Sequence, residues 1–303
     1  MATRSIVGDL EMSDLFCYMY RHDNNRLIPA KMNTSVEQFG IGEHYSINLQ
    51  GDTIPSWDSL DKAPQPLFTA VSDEALNQQA STYPMFIKLL SNYQSDSSIP
   101  EEYTEVEIKE IYEFINKIMK TVPMKVAQQF LQWKGVARDD FERQLFDIWF
   151  KLYRTKGVSA RDEVNTCGFE HVFVGESRRG FEPGQSVVTG FHNWLQFHLE
   201  EKKGKIDYHG YVIDRKPYDP ARSRLITVKF RWKNDVKRKS SMFIGTSPEF
   251  EMAVYTVVYL CGHAGDNPLL IDNHLVNIRM FSHEDQLATV YPVLMEEIRP
   301  WMT

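Results

Sequence analysis

The chain is poor in cysteine, short of positive charge and free of long apolar runs, and each shortage removes a class of protein. Its three cysteines, Cys17, Cys167 and Cys261, are too few and too scattered for a disulfide framework, and no CxxC or Cys/His spacing marks a zinc site. A reducing compartment is the simpler reading. With 34 basic residues against 41 acidic ones the net charge is −7, so no polyanion is held by the overall field and any contact with nucleic acid has to be local. No stretch approaches the ~20 apolar residues of a membrane span. The first ten residues hold no apolar run of the roughly 7–15 residues that a secretory leader needs. The expectation is a cytoplasmic or otherwise intracellular protein, with export through a removed leader left open.

Proline, glycine and serine do not dominate either, and no internal repeat stands out. What is present is an ordinary globular composition, 42% hydrophobic and 13% aromatic. At 303 residues the chain can form one large domain or two ordinary ones, enough to build a cleft.

Residues 13 to about 155 read mainly as helix. From Glu105 to Thr121, Val106, Ile108, Ile111, Phe114, Ile115 and Ile118 fall near a 3.6-residue period. Pro123 interrupts, Met124 to Trp133 resumes and Gly135 stops it. Asp139-Asp140 opens a further helix with Phe141, Leu145, Ile148, Trp149 and Leu152 on one face, ending at Gly157. Beyond Gly157 the texture changes to short apolar runs bounded by Gly, Pro and Asp: Val172 to Val174, Val187-Val188, Ile206 to Ile213, Leu225 to Trp232, Met242 to Ile244 and Ile271 to Phe281. These predict strands. Two helices are interleaved, one from near Gly190 and one after Ser247-Pro248 reaching about Cys261, with the serine as N-cap. The fold class is therefore α+β, a mainly helical region over residues 13–157 followed by an α+β region over 158–303 of antiparallel sheets with flanking helices.

All the suspected chemistry falls in the second region. His171 lies in Gly168-Phe169-Glu170-His171-Val172-Phe173-Val174-Gly175-Glu176, and His192 in Gly190-Phe191-His192-Asn193-Trp194. Two imidazoles of similar pKa can divide one reaction, the neutral ring taking a proton and the charged ring giving one. A core histidine also has apolar neighbours such as those of His171, and alternation would pair it with Phe173 on one strand face. His192 reads as sitting just inside a helix start, where backbone N–H groups accept phosphate; the alternative is an exposed residue after a turn. Lys237-Arg238-Lys239 reads either as a solvated charge run or as a lysine aimed by flanking strands at a phosphorane, and position alone does not choose between Lys237 and Lys239. Glu170 and Glu176 can orient a histidine or ligate a divalent cation, or they can be surface carboxylates. Thr289 and Tyr291 share a strand face by alternation, and a tyrosine there can stack a base or fill a core.

The two histidine motifs, the lysine before Ser240-Ser241-Met242-Phe243-Ile244-Gly245, and Ser247-Pro248-Glu249-Phe250-Glu251 together resemble the EndoU (XendoU-type) poly(U)-specific endoribonucleases. The first half is similar to the same family at Asn25-Arg26-Leu27, Ile47-Asn48-Leu49-Gln50-Gly51, Pro66-Leu67-Phe68 and Gln144 to Phe150, so the resemblance runs from about residue 15 to 302. It implies the two regions packed as one EndoU unit and a triad of His171, His192 and a lysine, a set shared with the coronavirus uridylate-specific endoribonuclease. Alignment on Ser240 to Gly245 selects Lys237, with Lys239 as runner-up. It also implies supporting roles for Glu170 and Glu176, uridine stacking by Tyr291, and contacts to the base near Ser241 and Thr289. Gly180-Phe181-Glu182-Pro183-Gly184 lengthens the segment between the histidines relative to the family.

The resemblance further implies single-stranded, uridine-containing RNA as partner, a monomer, and dependence on a divalent metal, Mn2+ or Ca2+, for which the sequence shows no EF-hand or comparable loop. The expected reaction is attack of the ribose 2′-OH on the adjacent phosphodiester, leaving 2′,3′-cyclic phosphate and 5′-OH ends, with His192 as base, His171 as acid and Lys237 as stabiliser. Two other readings compete: an RNA-binding protein without turnover, and a metal-dependent phosphodiesterase with Glu170, His171 and Glu176 as ligands.

Overall fold

A computed structural model of the chain describes residues 10–49, 51–53, 61–155, 164–179, 186–212, 224–272 and 274–297. Gln50, Gly157, the Gly180 to Gly184 insertion and Ile213 lie outside the described residues. The first half carries α1 (Leu10–Arg21), the short strands β1 (Tyr45–Ile47), β2 (Asp52–Thr53) and β3 (Phe68–Val71), then α2 (Asp73–Leu76), α3 (Tyr83–Leu90), α4 (Glu105–Ile118), α5 (Val122–Trp133) and α6 (Phe141–Trp149). The second half carries β4 (Glu176–Arg179), β5 (Ser186–Thr189), α7 (Trp194–Lys202), β6 (Ile206–Val212), β7 (Leu225–Trp232), β8 (Asp235–Phe243), α8 (Pro248–Cys261), β9 (Gly265–Ile271), β10 (His274–His283) and β11 (Gln286–Glu297). The α+β class read from the sequence is the class observed.

The helices form where period and caps agree. Thr104 and Glu107 make a reciprocal capping box at the start of α4, and the helix buries Ile111, Phe114, Ile115 and Ile118, each such side chain contributing about 1.5–3 kcal/mol. The helical run does break ahead of Pro123, between Ile118 and Val122, but the proline belongs to the helix that resumes. It sits in the first turn of α5, where the backbone N–H that proline lacks has no intrahelical partner anyway. The next helix, capped by Asp140, stops at Trp149, well short of Gly157.

Helix α8 is the centre of the molecule. Pro248 to Val258 are buried on every side, as in a core helix rather than an amphipathic one. Its acidic first turn is tied to the first half by Asn25, whose amide donates to Glu249 at 2.6 Å, while the Leu27 N–H donates to the Gly245 carbonyl at 2.7 Å. At the other margin α1 lies against β9, where the Leu270 N–H donates to Ser13 Oγ at 3.1 Å. One continuous core runs from Met12 to Leu294. Among the described residues no helix is long and apolar enough to cross a membrane.

Two sheets frame the cleft. One has the order β2-β6-β7-β8, in which β2 from the first half pairs parallel with β6 and the other neighbours are antiparallel. The other is the antiparallel meander β11-β10-β9, whose β11 packs against β7 and β8. The run Ile271 to Phe281, read as one strand, is two: β9 turns at Asp272, which holds a left-handed φ of 54°, into β10.

Candidate active site

His171 is not on a strand. Glu170–Val174 form a π-helical turn, closed by the Gly175 N–H donating to the Glu170 carbonyl at 2.9 Å. Three consecutive apolar residues look the same to a period-two reading whether they alternate or are all enclosed, and here Val172, Phe173 and Val174 are all buried. His171 is thereby singled out toward the cleft, its side chain 18% exposed. π-Turns of this kind recur where a helix must present one side chain out of register.

His192 is placed by a turn that has to be glycine. Gly190 has φ +60°, and a Cβ there would lie 1.7 Å from the His171 carbonyl oxygen. This close approach lets the Phe191 N–H donate to the His171 carbonyl at 3.0 Å and the His192 N–H donate to the Val172 carbonyl at 2.7 Å, so the two histidine segments are laced by their backbones. Helix α7 begins at Trp194 with Asn193 as its cap, the Asn193 side chain accepting from the Gln196 N–H at 3.0 Å. His192 therefore precedes the helix instead of sitting in its first turn, and its N–H is committed to Val172 rather than open to a phosphate.

The two rings are backed differently. His171 Nδ1 lies 2.9 Å from Glu176 Oε2, and the same oxygen accepts from the Thr189 hydroxyl at 3.3 Å, while Oε1 accepts from Thr166. Burial alone would push the Glu176 carboxyl up, but the His171 charge, the hydrogen bonds from His171 and Thr166 and the nearby Arg178 hold it below the ordinary carboxylate range. His192 Nδ1 donates to the Ser241 carbonyl at 3.0 Å, which fixes Nδ1–H as the protonated position of the neutral ring and leaves Nε2 with its lone pair. Burial drives the His192 pKa well below the ordinary histidine value, and the charges of Lys237 and His171 push the same way. Tyr291 stacks on His192 at a centroid distance of 4.4 Å and an interplanar angle of 9°.

The Lys237-Arg238-Lys239 run is no solvated loop. It lies inside β8 and forms a bulge there, Arg238 and Lys239 together opposing one residue of β7, with Lys237 set against Phe230 and Ser241 against Thr227. Lys237 is 9% exposed, and burial lowers its pKa to about 7, with Glu176 opposing the shift. Lys239 is exposed, although it too reaches the cleft. Ser241 is buried and shares a 2.7 Å hydroxyl contact with Thr227.

His171, His192, Lys237, Ser241, Thr289 and Tyr291 line one cleft of 510 Å³ between the two sheets. The Thr289 hydroxyl is buried there without a hydrogen-bond partner among the described residues. The cleft floor also holds Asn277 and Arg279 of β10 and Asp266 of β9, with Arg279 paired to Asp266 at 2.7 Å. These three went unread in the sequence, although polar Asn277 and Arg279 alternate with apolar Ile278 and Met280, a pattern that puts them on one face.

Glu170 stands apart. It is fully buried behind the π-turn, outside the cleft lining, and burial, followed by the charges of Glu176 and Glu101, raises its pKa well above the ordinary value. A divalent metal finds no ready donor set: among the described residues no group of three or more His, Cys, Asp or Glu side chains is placed to hold an ion. Glu176 is already engaged by Thr166, His171 and Thr189, and Glu170 is fully enclosed away from the cleft, so the set Glu170, His171 and Glu176 does not fit a metal.

A cleft between antiparallel sheets, carrying two differently backed imidazoles and a buried amine, is suited to acid–base chemistry, and the similarity to known proteins identifies an endoribonuclease. The chain belongs to the Endoribonuclease XendoU family, whose model matches residues 13–292. It is 38% identical over 296 residues to uridylate-specific endoribonuclease B of Danio rerio, covering 94% of this chain and 96% of that protein. To poly(U)-specific endoribonuclease-A of Xenopus laevis it is 38% identical over 300 residues, 96% of each chain. The solved structure of XendoU, described as a splicing-independent snoRNA-processing endoribonuclease, superposes with a TM-score of 0.76 at 35% identity over 95% of this chain and 98% of that one. The family resemblance read in the sequence is thus borne out.

Proposed function

We propose that this endoribonuclease cleaves single-stranded RNA at uridylates by transesterification, leaving 2′,3′-cyclic phosphate and 5′-OH ends. The observation that carries the reading is the unequal backing of the two histidines. His192, neutral and with Nδ1–H spent on the Ser241 carbonyl, offers Nε2 to the 2′-OH; His171, with Nδ1 on the Glu176 carboxylate, holds a proton on Nε2 for the leaving oxygen. The O2′–P bond forms as P–O5′ breaks, the 2′ proton passing to His192 and the His171 proton to O5′. Lys237, whose charge is stabilised further by an approaching phosphate, faces the phosphorane.

Uridylate preference rests on the relatives' names and on the wall of the cleft. The uracil stacks on the face of Tyr291 opposite His192, with Ser241 and the unpartnered Thr289 hydroxyl as polar contacts. Mn2+ or Ca2+ enters from the family resemblance alone, and every proton transfer above is carried by protein groups. Titration of either ion followed by thermal melting reports whether the chain binds it.

Product analysis tests the reading. A uridine-containing oligoribonucleotide should yield a cyclic phosphate and a 5′-OH, and its 2′-O-methyl counterpart should bind uncut. A 3′-OH with a 5′-phosphate would instead indicate metal-dependent hydrolysis, and binding of both strands without cleavage would indicate a binding protein.

A further inference from the structure

The cleft does not end at His171. On its far side lies a second hollow of 290 Å³, walled by Tyr153 beyond α6, Arg178 of β4, His283 at the end of β10 and Thr289 of β11. His171 and Thr289 line both hollows, so the two meet at the proposed acid. The rings of Tyr153 and His283 stand 6.2 Å apart at 47°, an aromatic wall beside a guanidinium. The Glu176 carboxylate, which also borders the space, accepts from Thr166 and Thr189, pairs with His171 and feels the Arg178 charge.

The geometry of the reaction gives this space a content. Resting on the assignment of His171 as acid, the oxygen it protonates is O5′ of the next nucleotide, so that nucleotide must leave past His171, away from the uridine. We infer that the second hollow is the subsite for the nucleotide 3′ of the scissile bond, with Arg178 taking that nucleotide's own 3′-phosphate and Tyr153 and His283 flanking its base. A guanidinium fork matches two phosphate oxygens, whereas aromatic walls accept any base through its π-face. Its volume, close to the lower bound of about 300 Å³ for small-molecule pockets, suits one nucleotide unit and no more. The subsite therefore reads the presence of a continuing strand rather than its sequence.

The test uses two substrates with a single ribouridine in an otherwise deoxy strand, ending one nucleotide downstream either in a 3′-OH or in a 3′-phosphate. The unaltered enzyme should show a kcat/KM about tenfold higher for the phosphorylated strand, the size of one charged hydrogen-bond contact. Arg178→Ala should bring that ratio to near one, whatever it does to the absolute rates, and Arg178→Lys should restore part of it. Tyr153→Leu should reduce the difference between a normal and an abasic downstream nucleotide. Equal rates on both strands in the unaltered enzyme would overturn the inference. So would a ratio untouched by Arg178→Ala, because the arginine would then act only through Glu176. If nothing is cleaved, it is the proposed reaction that fails; the affinities of the 2′-O-methyl pair, read by fluorescence anisotropy, still report on the subsite, and equal affinities would sink it.

Discussion

The π-turn that carries His171 and the glycine turn that carries His192 reach the same cleft with opposite chemistry. One imidazole is partly open and rests on a carboxylate; the other is enclosed and rests on a carbonyl. Burial, with the charges of Lys237 and His171, holds the enclosed His192 ring toward its neutral form. In the proposed reaction, identical side chains a few ångströms of backbone apart take different jobs according to what stands behind them. Lys237 sharpens the division, since its charge weighs against a second charge on His192.

Removing either ring is the strongest way to break the comparison. His171→Ala and His192→Ala should each lower kcat by about 1,000-fold with the fold retained by circular dichroism, the usual worth of a positioned acid or base. A variant with near-normal turnover would remove its histidine from the reaction. Gly190→Ala attacks the lacing between the turns. With φ +60° and a Cβ 1.7 Å from the His171 carbonyl, it should cost about 3 kcal/mol in a denaturant titration and separate both rings from their partners. Unchanged stability would mean that the two segments can part freely.

Equalising the backing is a milder test. Glu176→Gln keeps a hydrogen-bond acceptor and removes the charge, so kcat/KM should fall about 10- to 100-fold, as for loss of one charge-assisted hydrogen bond. An unchanged kcat/KM would show that the carboxylate only positions the ring. The smallest effect concerns pH. In the proposed reaction Lys237 acts when charged, so its contribution is present below about pH 7 and lost as pH rises through that value, giving a fall of about tenfold per pH unit in kcat/KM. Lys237→Arg should erase that alkaline limb, because a guanidinium stays protonated. A limb that persists in the arginine variant belongs to another group.

The sequence made some of this legible and hid the rest for identifiable reasons. Helix α4 announced itself because its period, its Thr104 cap and its Glu107 coincide. The π-turn was hidden because Val172, Phe173 and Val174 are enclosed together, and enclosure erases the alternation that separates strand from helix. The lysine run looks in part like a solvated loop because charge in sequence says nothing of a bulge; β8 buries Lys237 and exposes Arg238 and Lys239. Strand β2 is two residues long and pairs with β6 across 159 positions, Asp52 with Tyr211 and Thr53 with Val212, and no local pattern announces such a partner. The site residues, by contrast, stood inside long motifs, and the cleft collects His171, His192, Lys237, Ser241, Thr289 and Tyr291 while leaving Glu170 behind.

The contact between α1 and β9 bears on how such a cleft comes into being. Ser13 meets Leu270 across 257 positions, and Thr289 and Tyr291 come later still, on β11. At about 5–20 residues per second, a ribosome spends roughly 10–50 s between making these first and last partners. Loop closure over such a span is slow and is rewarded only at the end. The candidate cleft therefore stays incomplete until β11 has been made, long after α1 and the other helices of the first half.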